Sequence, residues 1–129
     1  LEYEKYGLSD PAYLKKALLV AGNDEEYEDR YANGQVNYGT AYYFNGDNGL
    51  EAYDFLQDPP NGNEAVRDSI IHNINRGTGF AGYSGHCISE GWNNPSFNLD
   101  DISALSDNGK FGLWISNCCW SMEFDEPEC

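Results

Sequence analysis

NEAVRDSIIHNINRGTGFAGYS, residues 63–84, changes its hydrophobic period once, and that change decides the fold. Val66, Ile70 and Ile74 recur four residues apart, with Ile71 beside them, which is the apolar stripe of an amphipathic helix. Asn61 followed by Glu64 resembles a capping box at its start, and Gly77 ends it. GFAGYS (79–84) then reads as a strand rich in small residues. Upstream, ALLVAG (17–22) is a short apolar run between Lys15-Lys16 and Asn23-Asp24, the pattern of a buried strand. LEAYDFL (50–56) alternates as a strand does, before Asp58-Pro59-Pro60-Asn61-Gly62 breaks the chain. QVNYGTAYYF (35–44) is ambiguous: Val36, Thr40, Tyr43 and Phe44 share a helical face, Val36, Tyr38 and Thr40 alternate, and Gly39 weakens both readings. Downstream, residues 98–105 hold a short helix with Leu99, Ile102 and Leu105 inward, and FGLWIS (111–116) reads as a buried strand. Strand and helix alternating at this spacing predict an α/β fold with a largely parallel sheet.

The chain has 129 residues and a formal net charge of −15, with only seven Lys and Arg. That balance excludes nucleic acid as an obvious partner, because phosphate binding needs a basic surface. It favours basic partners or cations at long range. No run of 18 apolar residues is present, so no membrane span is expected. No signal peptide is visible, and a sequence that starts at Leu1 and stops at Cys129 reads as an excised or processed piece. We find no internal repeat and no low-complexity tract.

In open parallel sheets, active groups collect at the carboxyl ends of the strands. Three polar clusters fall at such ends: Asn23-Asp24, Ser84-Gly85-His86 and Asn117-Cys118-Cys119. One short helix separates the second strand from the third, which makes the two neighbours and brings His86 and Cys119 to one edge. Several readings of this edge compete. An imidazole that takes or offsets a thiol proton produces a nucleophilic thiolate. Buried, unreactive cysteines and a satisfied histidine form the structural alternative. A zinc site of His86, Cys87, Cys118 and Cys119 fits poorly, because two adjacent ligand pairs depart from the C-x2-4-C spacing. Four cysteines allow two disulfides in three pairings, but the adjacent Cys118 and Cys119 cannot bridge each other without strain, which weakens a disulfide framework.

GYSGHCISEGW (82–92) resembles the Tyr-Thr-Gly-His-Gly-Ser-Glu-x-x-Trp segment of the gingipain cysteine peptidases. ISNCCWSMEFDEPEC (115–129) is similar to the segment around the catalytic cysteine of that family, where an Asn-Cys-Cys-like turn is followed by Phe-Asp. ALLVAGND and residues 63–84 fit the same order and spacing, so the resemblance covers most of the chain. It implies a caspase-like α/β/α sandwich that is incomplete in this chain, with residues 1–129 as part of one catalytic domain. More sheet would precede Leu1, and further strands and most of the primary specificity pocket would follow Cys129.

The same resemblance implies a secreted or bacterial cell-surface endopeptidase that cleaves protein or peptide substrates after Arg or Lys. Cys119 maps to the nucleophile, His86 to the catalytic histidine, and Asp24 to the carboxylate that orients it, although Asn23-Asp24-Glu25-Glu26 also reads as a solvated acidic turn or as part of a calcium site. Cys118 becomes a packing neighbour. The oxyanion would be held by the backbone N–H groups of Cys119 and Cys87. Cys87 departs from the family pattern, which has Gly after the histidine. Its N–H serves equally well if φ stays negative, but not if the position needs left-handed geometry. Its thiol either points into the core as a small hydrophobe or competes near His86. His72 reads as a surface residue of the helix. Trp92 and Trp120 flank the two motifs and are candidates either for the cleft wall or for the core.

No cofactor is required by this chemistry. Asp47, Asp58, Asp125 and Glu126 offer hard oxygen ligands for a structural calcium ion. The alternatives to a peptidase are a catalytically altered or transpeptidase relative of the same fold, and a calcium-binding module without peptidase activity.

Overall fold

A computed structural model of the protein describes residues 7, 10–23, 26–27, 29–57, 63–106 and 108–120. The central strand β1 (Lys16–Ala21) is buried from Ala17 onward. Its residues alternate between two cores, as the pleat requires. Leu18 and Val20 join Ile70, Ala81, Tyr83, Trp92 and Phe97 on one face. Leu19 and Ala21 join Ala32 and Val36 on the other. A strand buried on both sides needs an unbroken apolar run, which is what residues 17–21 supply.

The ambiguous segment is a helix, α1 (Asn33–Tyr42), followed by the strand β2 (Glu51–Phe55). Next comes the predicted amphipathic helix, α2 (Asn63–Arg76), and then β3 (Phe80–Ser84). Gly77 ends α2 as expected: its φ is +98° and its N–H donates to the Ile74 carbonyl at 2.9 Å. The capping residue expected at Asn61 lies outside the described residues. Three two-residue strands, β4 (Cys87–Ile88), β5 (Gly91–Trp92) and β6 (Phe97–Asn98), make a small antiparallel sheet. A helical turn, α3 (Leu99–Ser103), and the strand β7 (Leu113–Asn117) complete the described chain.

The main sheet has the order β2-β1-β3-β7, and all its pairings are parallel. Helices flank it, α1 against the Leu19 face and α2, through Ile70, against the Leu18 face. This is the expected α/β architecture with a parallel sheet, and β3 and β7 are neighbours as predicted.

Two expectations fail locally. β7 is not a buried strand: Leu113, Trp114 and Ile115 are all exposed, because among the described residues β7 is the edge of the sheet and little packs over it. Ile102 does not point inward either, being 48% exposed, and its neighbour Asp101 is the buried residue. The Asp101 carboxylate accepts a hydrogen bond from the Asn98 N–H at 3.0 Å and from Arg67 Nε of α2 at 2.8 Å. A capping box with Asn98 fixes the turn in that rotation, and Ile102, about 100° further round, faces out.

Candidate active site

The parallel register of β3 and β7 ends with Ser84 opposite Asn117, and the Gly85 N–H adds one bond to the Asn117 carbonyl at 3.3 Å. His86 lies two residues beyond Ser84, and Cys119 two residues beyond Asn117. Both stand at the carboxyl edge of the sheet, and both are exposed. β1 ends beside them: Ala21 pairs with Ser84, and the Gly22 N–H donates to the Ser84 carbonyl at 2.7 Å. β1 thus leaves the sheet next to the histidine strand. Asp24, the residue expected to orient His86, lies outside the described residues.

Cys87 and Cys118 form a disulfide, with Cα atoms 5.5 Å apart and a sequence separation of 31. This overturns three expectations. Cys118 is not merely a packing neighbour, and Cys87 is neither a free core thiol nor a competing nucleophile. The four-ligand zinc set fails as well, because a thiolate is the ligand form and two of its three sulfurs are bonded to each other. Cys119 is the free cysteine among the described residues. Of the two adjacent cysteines, Cys118 is thus bonded to a distant residue while Cys119 keeps its thiol. The signal was present in the topology, since neighbouring strands ending at Ser84 and Asn117 carry Cys87 and Cys118 to the same edge.

Cys87 has no positive φ, so the geometric condition for its N–H to serve where the family has Gly is met. The turn at Cys119 is followed by Trp120 with φ 60°, a conformation uncommon for a bulky residue. Trp120 is exposed, at 63%. Trp92 instead belongs to the core: its ring stacks on Tyr83 with centroids 4.4 Å apart, and its Nε1 donates to Ser116 Oγ at 3.0 Å.

Tyr83 supports the histidine loop from beneath. Its hydroxyl lies 2.8 Å from the His86 carbonyl and 3.2 Å from the Asn94 carbonyl, with one proton shared between two acceptors. Burial pushes the phenol up to about 12. The backbone around it is tight. A Cβ on Gly85 would lie 2.6 Å from both Gly22 Cα and the Tyr83 hydroxyl, so only glycine lets these two strand ends approach.

On the α1 side, Ser84 Oγ lies 2.7 Å from both the Tyr31 carbonyl and Gln35 Oε1. Asn117 Nδ2 donates to the same Gln35 oxygen at 3.2 Å. This network ties the ends of β3 and β7 to α1 and closes one end of a cavity of about 190 Å³ walled by Leu19, Phe44 and Ile115. Tyr83 and this network were missed in the sequence, although the motif that singled out His86 contains both Tyr83 and Ser84.

The remaining candidates are scattered. His72 is an exposed residue of α2, as expected. Asp47 sits in a short 3-10 turn (Gly46–Asn48), while Asp58, Asp125 and Glu126 lie outside the described residues. Among the described residues no three His, Cys, Asp or Glu side chains cluster as metal ligands would. None of the described helices is long and apolar enough to cross a membrane.

The paired ends of β3 and β7 thus lead to a histidine and a free cysteine at the carboxyl edge of a parallel sheet. The profile of Peptidase family C25 matches residues 1–129, and the chain belongs to that family. Lys-gingipain of Porphyromonas gingivalis is 34% identical over 129 residues, covering 99% of this chain and 7% of that protein. Lys-gingipain W83 of the same species is 32% identical over 126 residues, covering 97% of this chain and 7% of its own length. A solved structure described as that of a protease superposes with a TM-score of 0.82 at 32% identity, over 97% of this chain and 26% of its own. The chain therefore spans about 7% of the length of the curated relatives it matches.

Proposed function

We propose that residues 1–129 are part of the catalytic domain of a cysteine endopeptidase, with Cys119 as nucleophile and His86 as general base. The observation that carries this reading is the placement of both residues two positions beyond the paired ends of β3 and β7, in a chain of Peptidase family C25. His86 draws the proton from Cys119, and the thiolate attacks the scissile carbonyl. The N–H groups of Cys119 and Cys87 receive the oxyanion. His86 then protonates the leaving amine, and water hydrolyses the acyl-enzyme by the same route. Asp24 accepts the other ring N–H of His86 and fixes its tautomer. No step requires a cofactor.

Cleavage after a basic residue is supported by the naming of the relatives as Lys-gingipains and by the net charge of −15, which attracts cationic peptides. Export to the medium or the bacterial surface is supported by the Cys87–Cys118 disulfide, a bond of oxidising compartments.

The test is made in the full-length protein. Cys119→Ala abolishes hydrolysis of Lys- and Arg-containing peptides, and iodoacetamide at neutral pH alkylates Cys119 selectively and fast. Hydrolysis that survives Cys119→Ala refutes the assignment. A product that depends on added amine, in place of free acid, identifies a transpeptidase instead.

A further inference from the structure

We infer that the Cys87–Cys118 disulfide is a positioning clamp for the dyad, holding the histidine loop and the cysteine turn at a fixed separation where the sheet no longer can. The inference rests on the function proposed above. The ladder between β3 and β7 stops at Ser84 and Asn117, apart from the single Gly85 bond. His86 and Cys119 both lie beyond it, and both are exposed, so the core encloses neither side chain. The histidine loop is bonded within itself, through the Asn93 N–H to the His86 carbonyl and the pairing of Cys87 with Trp92, and the bridge ties it to the cysteine turn beyond the last β3–β7 pair. The bridge joins the residue after the histidine to the residue before the free cysteine, with their Cα atoms 5.5 Å apart. Both half-cystines pack against the core cluster of Tyr83 and Trp92, so the clamp is anchored to the rigid part of the fold. The resemblance to the gingipain motif places Gly at position 87, so the bridge is an addition to the motif in this chain.

The arrangement puts opposite redox demands on adjacent residues: Cys119 must be a thiol, and Cys118 must be half of a disulfide. A dithiol reductant that opens the bridge forms a mixed disulfide and then its own cyclic disulfide, passing two electrons and two protons to the sulfurs of Cys87 and Cys118. Cys119 is unchanged by that step. Dithiothreitol therefore raises activity at low concentration, by freeing any capped Cys119, and lowers it once the bridge opens.

The experiment compares the full-length protein with its Cys87→Ser/Cys118→Ser and Cys87→Gly/Cys118→Ala variants, assayed well below their melting temperatures. A misplacement of the dyad by about 1 Å lowers kcat by roughly 10- to 100-fold. KM stays within about twofold, and the rate of Cys119 alkylation at neutral pH falls as His86 loses its position. Unchanged kcat and an unchanged alkylation rate, with only the melting temperature lowered, overturn the clamp. If a variant does not fold, dithiothreitol titration of the unmodified protein decides, with bridge opening measured by mass spectrometry and the fold by circular dichroism. A fall in kcat that follows bridge opening in folded protein supports the clamp, and full kcat with the bridge open overturns it. Failure of the proposed function reads differently, because activity then survives Cys119→Ala whatever the bridge does.

Discussion

The Tyr83 hydroxyl donates to the carbonyl of His86, three residues further along the chain, at 2.8 Å. The bond runs from the floor of the core to the loop that presents the histidine, so it controls where the imidazole stands without touching substrate. Tyr83→Phe keeps the ring and its stacking on Trp92 but removes the donor. We expect a stability loss of about 1–2 kcal/mol in urea denaturation, since the part-buried carbonyls of His86 and Asn94 lose a donor. We also expect kcat to fall several-fold while KM changes little. Unchanged kcat in a destabilised variant would show that Asn93, whose N–H also reaches the His86 carbonyl at 3.0 Å, is sufficient to hold the loop.

The same phenol predicts an alkaline transition. Burial raises it to about 12 from the model-compound value of 10.0. The folded state therefore holds the proton more tightly than the unfolded chain. Its contribution to stability is complete below pH 10 and is lost as the pH rises from about 10 to 12. The expected result is a fall in melting temperature across that window that is smaller in Tyr83→Phe. An equal fall in both proteins would assign the transition to other groups.

How much of this was legible in the sequence depended on contrast and on distance. ALLVAG between charged and polar flanks has high contrast, and β1 was read within a residue of its ends. α1 has little contrast, because Tyr38, Tyr42 and Tyr43 are exposed and only Val36 of the helix is buried, so no apolar stripe separates helix from strand. β7 has the composition of a buried strand but stands at an edge, and composition carries no information about neighbours. The topology brought His86 and Cys119 to one edge correctly. The Cys87–Cys118 bond needed that topology applied to the cysteines as well, whereas the spacing rules for cysteines compare only residues close in sequence.

Asp101 links α3, the Asn98 backbone and α2. Its carboxylate caps α3 through Asn98 and meets Arg67 of α2, with Nη2 2.7 Å from Oδ1. Asp101 is buried, whereas Arg67 is partly exposed. Removing the acid leaves Arg67 able to reach water, whereas removing Arg67 leaves a buried carboxylate unpaired. We therefore expect Arg67→Met to cost more than an exposed ion pair would, about 2–3 kcal/mol by chemical denaturation. Asp101→Asn should cost about 1–2 kcal/mol, because an amide oxygen can still cap. The reverse order would mean that the cap, and not the ion pair, fixes α3.

Gly85 and Gly22 meet where β1 and β3 leave the sheet, and a side chain at Gly85 has no room. Its Cβ would stand 2.6 Å from a backbone carbon and 2.6 Å from the Tyr83 hydroxyl. Backbone cannot swing aside as the tip of a long side chain can, so the loop carrying His86 must move. Gly85→Ala is expected to cost about 1–3 kcal/mol as overpacking and to lower kcat by at least tenfold. Gly46→Ala is the matched control, because a Cβ there meets nothing within 4 Å. It should leave both stability and kcat close to those of the parent. If Gly85→Ala loses stability but keeps kcat, the strand ends yield without displacing His86, and the close approach serves the fold alone.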